Sequence, residues 1–312
     1  QRELLGLHPE LRALRGHNPW TLAWIVGVVA AQLALGGLAT ELPLWALAIG
    51  AYVVGAPLAH AAGVLIHETA HDLVLRGRRA NELASLVANI PLVLPGAIDF
   101  RDKHLYHHGY LGEGESRDFQ TPTGTAVRWV GQSRLRKLVW LAVGSVVFPK
   151  RPIEGLDDAG RHRRLLVNLA TQLVSMCLYA AVFGWRGIAY LALSAIFAFG
   201  PHPLAMRGYG EHVPLRKDQP TASYYGWGNW ISFFVGYHVE HHDLPDVPWN
   251  RLPDVHRIAR ASYDGLAHHT SWTRMLARFV ATDRLGVASY VEAGQGADHF
   301  ASPASSASSS AS

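Results

Sequence analysis

Four apolar runs, joined as two close pairs, constrain this chain more than any other feature. The first pair is Trp20–Gly37 and Pro43–Ile66. The second is Leu165–Phe183 and a run from Gly187 to about Phe199, with its end taken at residue 203. About 20 apolar residues suffice for a helix to cross the hydrocarbon of a bilayer. The linkers ATEL and GWRG are so short that each pair must be a helical hairpin. Only 17% of residues are charged, against about 25% in a soluble domain. A mean hydropathy of +0.07 still requires a large polar portion. The expected fold is therefore an all-α integral membrane protein. It has four transmembrane helices, about 20–37, 43–66, 165–183 and 187–203, under a cytoplasmic helical cap of 67–164 and 204–300. Residues 1–300 form one domain, and the Ser/Ala-rich stretch 301–312 is expected to be a disordered tail or linker. The runs 84–98 and 139–148 are short or broken by proline and read as interfacial or re-entrant segments.

Charge sets the orientation. Of 28 Lys and Arg, only Arg186 falls in the two loops opposite the long segments, 38–42 and 184–186. The positive-inside rule then puts the N-terminal stretch, the middle segment and the C-terminal region in the cytoplasm. The net charge of +4 follows from this bias and implies no nucleic acid. A charged stretch precedes the first span, and no cleavable signal is expected. Cys177 is the only cysteine, which excludes an intrachain disulfide and any cysteine-based cluster.

The chain has 18 histidines, and eight of them form three groups: His67 and His71 in HETAH, His104, His107 and His108 in HLYHH, and His238, His241 and His242 in HVEHH. Helical residues at i, i+3 and i+4 share a face, so each group can aim two or three imidazoles at one point. All three groups map to one membrane face. Eight ligands exceed the roughly four to six that one ion takes, so a dinuclear centre is expected. His212 is a candidate for a further ligand, or equally a structural histidine. A structural role is favoured for His202, and an interhelical hydrogen bond for His60. Glu68 and Glu211 could orient neighbouring imidazoles, as could Asn229 and Asp243 beside the third group. His8, His17, His162, His256, His268, His269 and His299 read as solvated.

HETAH also matches the HExxH of zinc proteases. That reading strands six clustered histidines and lacks a third ligand. A metal transporter would carry polar residues along its spans, and these spans have almost none. Lipid methylenes offer hydrolysis nothing to attack, whereas paired irons can activate O₂ and oxidise C–H bonds. Zinc has no redox chemistry.

The set HxxxH, HxxHH, HxxHH resembles that of the membrane fatty-acid desaturase/hydroxylase superfamily. The stretches HPELRALRG, IHETAHDLVL, ANIPLVLP, FRDKHLYHHGYLGEGESRDFQTPT and SYYGWGNWISFFVGYHVEHHDLPDVPWNRLPDV are most similar to sphingolipid (dihydroceramide) desaturases. The resemblance runs from about residue 3 to about 285. It implies two irons, O₂ as co-substrate, a membrane lipid substrate and electrons from a separate carrier, either cytochrome b5-like or a ferredoxin with its reductase. The eight grouped histidines would be ligands and His212 the remaining one. Some members hydroxylate, so a hydroxylase or ketolase of a lipid, carotenoid or other terpenoid is the alternative. Met206 and Arg207 replace a usual glycine and histidine, and Phe234 a usual asparagine. These three are candidates for substrate selection, with Arg207 placed to meet a head group. The preference for Arg over Lys favours a bacterial inner membrane, with the endoplasmic reticulum as the eukaryotic counterpart.

Overall fold

The computed structural model describes residues 1–111, 122–148, 159–212, 215–216, 219–282 and 286–287. The expectation for 301–312 lies outside them. The helices in order are α1 (Arg2–Leu7), α2 (Trp20–Leu38), α3 (Leu44–Gly50), α4 (Ala56–Ala70), α5 (Arg78–Asn89), α6 (Ala97–Gly109), α7 (Gly124–Val130) and α8 (Arg134–Val147). They continue with α9 (Ala159–Phe199), α10 (Met206–His212), α11 (His238–Asp243), α12 (Leu252–Ile258), α13 (Arg260–Tyr263) and α14 (Trp272–Ala281). Among the described residues the only strands are β1 (Ser223–Tyr224) and β2 (His268–His269), paired in parallel.

Among the described residues, three helical stretches are long and apolar enough to cross a membrane: Trp20–Glu41, Leu44–Ala70 and Gly160–Phe199. Leu166, Leu173, Leu178 and Val182 stand exposed along α9, as do Trp20 and Trp24 on α2. So much continuous apolar surface is a membrane contact, not a soluble exterior. The second stretch is α3 and α4 in series, joined by a π turn at Ala51–Gly55. Pro57 lies just beyond that turn. It has no N–H to donate, and its ring would crowd a tight preceding turn, so a widened turn carries the helix past it. Gly55 permits close packing on α9, since a β-carbon there would lie 2.9 Å from Ser194 Cβ and 3.0 Å from the Tyr190 hydroxyl.

The stretch α9 is not a single rod. Gly184 breaks it with φ 64° and ψ −170°, a left-handed φ that glycine adopts without penalty. Tyr179 and Tyr190 flank this break and both pack against Gly36 of α2. At the start of α9, Arg161 and Arg164 pair with Asp99 and Asp102 of α6. At its end, Phe199 packs over Gly63 of α4, while Arg186 beside the break reaches the Leu42 carbonyl. Both ends therefore lie on the histidine side, and the chain doubles back at Gly184. The expected four-residue linker is thus one residue, with Trp185–Gly187 already helical. Helix α9 ends at Phe199 instead of 203, ahead of Gly200-Pro201.

Helix α4 is central, packed by α2, α5, α6 and α9. Its Ala61, Ala62, Leu65 and Ile66 join Ile25, Val28 and Val29 of α2 in one core. The apolar run 84–98 forms a corner where α5 and its 3₁₀ extension meet α6 at 116°. Asn89 holds this corner: its Oδ1 accepts from the Gly96 and Ala97 N–H groups at 2.9 Å, and its Nδ2 donates to the Leu94 carbonyl at 2.8 Å. The run 139–148 lies largely in α8, which packs on α9 and α14.

Candidate metal centre

The three boxes come from three helices. His67 lies within α4, not beyond a span that ends at Ile66, and His71 caps the same helix. His104, His107 and His108 ride α6, and His238, His241 and His242 ride α11. Arg101 locks the first two elements together. Its guanidinium is bidentate on Asp72 at 2.9 and 2.8 Å and also donates to the Thr69 carbonyl at 2.9 Å. Asp72 has φ 59°, which turns the chain sharply after His71.

Helix α11 is anchored from within. Glu240, inside the box HVEHH, is fully buried. It accepts from Ser223 Oγ at 2.7 Å and Tyr225 Oη at 2.6 Å, and lies 2.6 Å from His256 Nδ1. The loop leading to α11 carries Phe233 and Phe234 at φ 50° and 49°. Asn229 pins that loop, accepting from Gly236 N and donating to the Tyr224 carbonyl.

The histidines sort by helical face, not by box. His67, His71, His104, His108 and His241 have ligand atoms within 4.8 Å of one another. His107, His212 and His242 form a second group on the same criterion, and Glu211, His212 and His238 an overlapping third. Each HxxHH box is thereby divided. On α6 the i,i+4 pair His104 and His108 enters the first cluster and His107 the second. On α11 His241 enters the first, His242 the second, and His238 the overlapping third, which shares His212 with the second. The two clusters share a wall, with His108 and His242 stacked at a ring-centroid distance of 4.1 Å.

The donor set fits metal ions. In the first cluster, Nε2 atoms meet at 2.8 Å (His71–His104), 3.1 Å (His104–His108) and 3.2 Å (His108–His241). A ring nitrogen carries one proton or one lone pair. Four nitrogens in a chain of three contacts can therefore make at most two hydrogen bonds, whereas a cation between them uses every lone pair. Both ring nitrogens of His67 and His238, Nδ1 of His104 and His241, and Nε2 of His242 are buried with no hydrogen-bond partner among the described residues. Burial, and then the neighbouring imidazoles, hold His238, His241 and His242 well below the usual histidine range. They are neutral at pH 7, the form that binds metal. All-nitrogen shells of this kind suit iron, copper or zinc.

The remaining candidates lie around this centre. Glu68 has Oε1 3.6 Å from His67 Nδ1 and accepts from Trp249 N at 3.1 Å. Glu211 has Oε2 3.7 Å from His238 Nδ1, and burial pushes its carboxyl up to about 7 against the pull of Arg207. His202 stands outside both clusters, its Nδ1 accepting from Leu204 N. Asp243 accepts from Tyr263 Oη at 3.1 Å. Met206 is buried in the core beneath α14, and Phe234 stacks on Trp249. Arg207 points inward, donating to Glu211 and His60. His256 and His269 are not the solvated residues expected: one meets Glu240, and the other bonds the Gly210 carbonyl at 3.1 Å. The anchors Glu240, Arg101 and Asp72 carried no readable signal beyond Glu240's place inside a box.

A profile of the fatty acid desaturase family matches residues 43–274. The chain is similar to the sphingolipid delta(4)-desaturase DES1 of Drosophila melanogaster, 35% identical over 286 residues, covering 91% of this chain and 88% of that protein. It is 34% identical to the Gallus gallus DES1, covering 91% and 88%. It is also 35% identical to the Rattus norvegicus sphingolipid delta(4)-desaturase/C4-monooxygenase DES2, covering 94% and 90%.

Proposed function

The chain belongs to the fatty acid desaturase family and is an oxidoreductase, and on that premise we propose an iron- and O₂-dependent enzyme that places a double bond in a long-chain sphingoid or acyl lipid. The observation that carries this reading is a group of five histidines beside two groups joined through His212, nine histidines in all, which we take as two adjoining metal sites. His67, His71, His104, His108 and His241 hold one iron, and His107, His212, His238 and His242 hold the other. When bound, the iron pair supplies O₂ activation and hydrogen removal from an unactivated carbon. The protein's residues do the rest. Arg101 and Asp72 fix His71 against α6, Glu240 fixes α11, and Glu68 ties the Trp249 loop to α4.

In this reading the domain spans 1–300 and crosses the membrane four times, through α2, α3 with α4, and the two halves of α9. Both ends of α9 meet the histidine side, and the basic residues gather there, so the clusters face the cytoplasm. The membrane is the inner membrane in a bacterium, which the arginine-rich composition favours, or the endoplasmic reticulum in a eukaryote. Electrons come from a separate carrier, a cytochrome b5-like protein or a ferredoxin with its reductase. The basic cytoplasmic face suits an acidic partner.

A second reading is hydroxylation at the same centre, favoured by the name of the rat relative, which joins desaturase with C4-monooxygenase. Both outcomes begin with the same hydrogen abstraction. Metal analysis tests the iron assignment. About two irons per chain are expected, one for each cluster, with loss on His104→Ala. Stoichiometric zinc with no iron would overturn it.

A further inference from the structure

Arg207 is a cation drawn into the protein interior. It lies on α10 with its side chain only 20% exposed. Its Nη1 donates to Glu211 Oε2 at 2.8 Å, one helical turn on, and its Nε donates to His60 Nε2 at 3.2 Å. His60 is 1% exposed and lies in α4 two turns before His67. The guanidinium therefore bridges the apolar helix of the first box to the helix that carries His212.

The decisive atom is Glu211 Oε2. The same oxygen that takes Arg207 faces Nδ1 of His238 at 3.7 Å. Glu211 is 3% exposed, and its other oxygen has no hydrogen-bond partner among the described residues. Such a carboxylate, lying beside His212 and His238, has two possible fates once a cation arrives. It can swing in as a ligand, or it can stay out and take the N–H of the neighbouring imidazole. The Arg207 guanidinium, which donates Nη1–H to Oε2, opposes the inward swing and favours the second. Carboxylates that accept from a ligating histidine fix its tautomer and its ring orientation, and their loss typically costs about 10- to 100-fold in metal affinity.

We propose that Arg207 is a positioning residue of the second histidine cluster: as the counter-ion of Glu211, it keeps that carboxylate outside the ligand shell and against His238 Nδ1, leaving Nε2 of His238 to the metal. The contact with His60 sets the guanidinium's direction, because His60 Nε2 accepts from it and so must be the unprotonated nitrogen. The inference rests on the two-metal reading above, and it assigns Arg207 to the metal centre and not to a lipid head group.

The test uses the full chain in detergent or nanodiscs, loaded anaerobically with ⁵⁷Fe(II) and measured by metal analysis and Mössbauer spectroscopy. The wild type and Arg207→Lys are expected to bind about two irons per chain, one per cluster. Arg207→Met is expected to keep the first iron and bind the second about 10- to 100-fold more weakly, with one iron environment altered in the spectrum. Retention of the first iron shows that the variant is folded. Arg207→Met with two tightly held irons and an unchanged spectrum would overturn the proposal. A changed lipid preference in that same variant would then assign Arg207 to the substrate.

If Arg207→Met binds no iron, the pair Arg207→Met with Glu211→Gln, which strands no buried charge, decides. Selective weakening of the second iron upholds the proposal, whereas two irons held as in the wild type, or none, sinks it. A wild type that binds fewer than two irons instead removes the two-metal reading itself.

Discussion

Replacing Glu240 should separate the anchor of the third box from its ligands. The carboxylate is fully buried and meets three side chains, Ser223 and Tyr225 hydroxyls and His256 Nδ1, at 2.6 to 2.7 Å. Glu240→Ala removes the acceptor and leaves those groups facing a cavity. Ser223 keeps its acceptor contact with Val239 N at 3.0 Å but its O–H loses Glu240, and His256 has a partly open edge. Among the described residues, Tyr225 keeps only the Ser223 hydroxyl as a side-chain hydrogen-bond partner. An orphaned buried donor costs about 1–3 kcal/mol, so the change should total about 3–5 kcal/mol, the range for breaking a buried charged contact. Glu240→Gln keeps Oε1 for Tyr225 and His256 and turns its amide toward Ser223, so it should lose only about 1–2 kcal/mol of charge assistance. The assay is unfolding in nanodiscs followed by tryptophan fluorescence, with iron content measured on the same samples. The order wild type, Gln, Ala is expected in both stability and iron retention. Ala within about 1 kcal/mol of wild type, or Gln as damaging as Ala, would refute the anchoring argument.

Gly55→Ala should destabilise by about 1–3 kcal/mol through overpacking against Ser194 and Tyr190, with partial recovery on adding Ser194→Gly; unfolding of the single and double variants checks this. Arg101→Met should loosen His71 from α6 and lower first-cluster iron, while Arg101→Lys retains more because it keeps the charge beside Asp72; metal analysis of both variants is the readout. Iron-free protein should lose stability as pH falls below 6.5. Burial lowers the folded-state values of His238, His241 and His242 from 6.5, so the unfolded chain binds more protons below that pH, and stability rises with pH there. Unfolding between about pH 5 and 7 shows this slope, and a flat profile would contradict it.

Much of the centre was legible because helix geometry is local. The boxes and their convergence follow from helical spacing, and eight grouped histidines suggest more than one ion. Spacing also contains the division of each box, since His104 and His108 stand four residues apart while His107 points away. Reading a box as aimed at one point overlooks that rotation. What was not legible depends on partners distant in sequence. The reversal at Gly184 and the widened turn before Pro57 are matters of packing between α2, α4 and α9. The partners of Glu240 lie at 223–225 and 256, and the direction of Arg207 depends on His60, 147 residues away. His256 read as solvated because nothing near it in sequence announces a buried carboxylate.

The most direct measurement is lipid mass spectrometry on membranes carrying the protein, supplied with O₂, a reducing system, dihydroceramide and a total lipid extract. An O₂-dependent loss of two hydrogens from dihydroceramide, abolished by His104→Ala, is the predicted result. A gain of one oxygen would instead select hydroxylation at the same centre. An iron-loaded protein that leaves every lipid in the mixture unchanged would contradict the account.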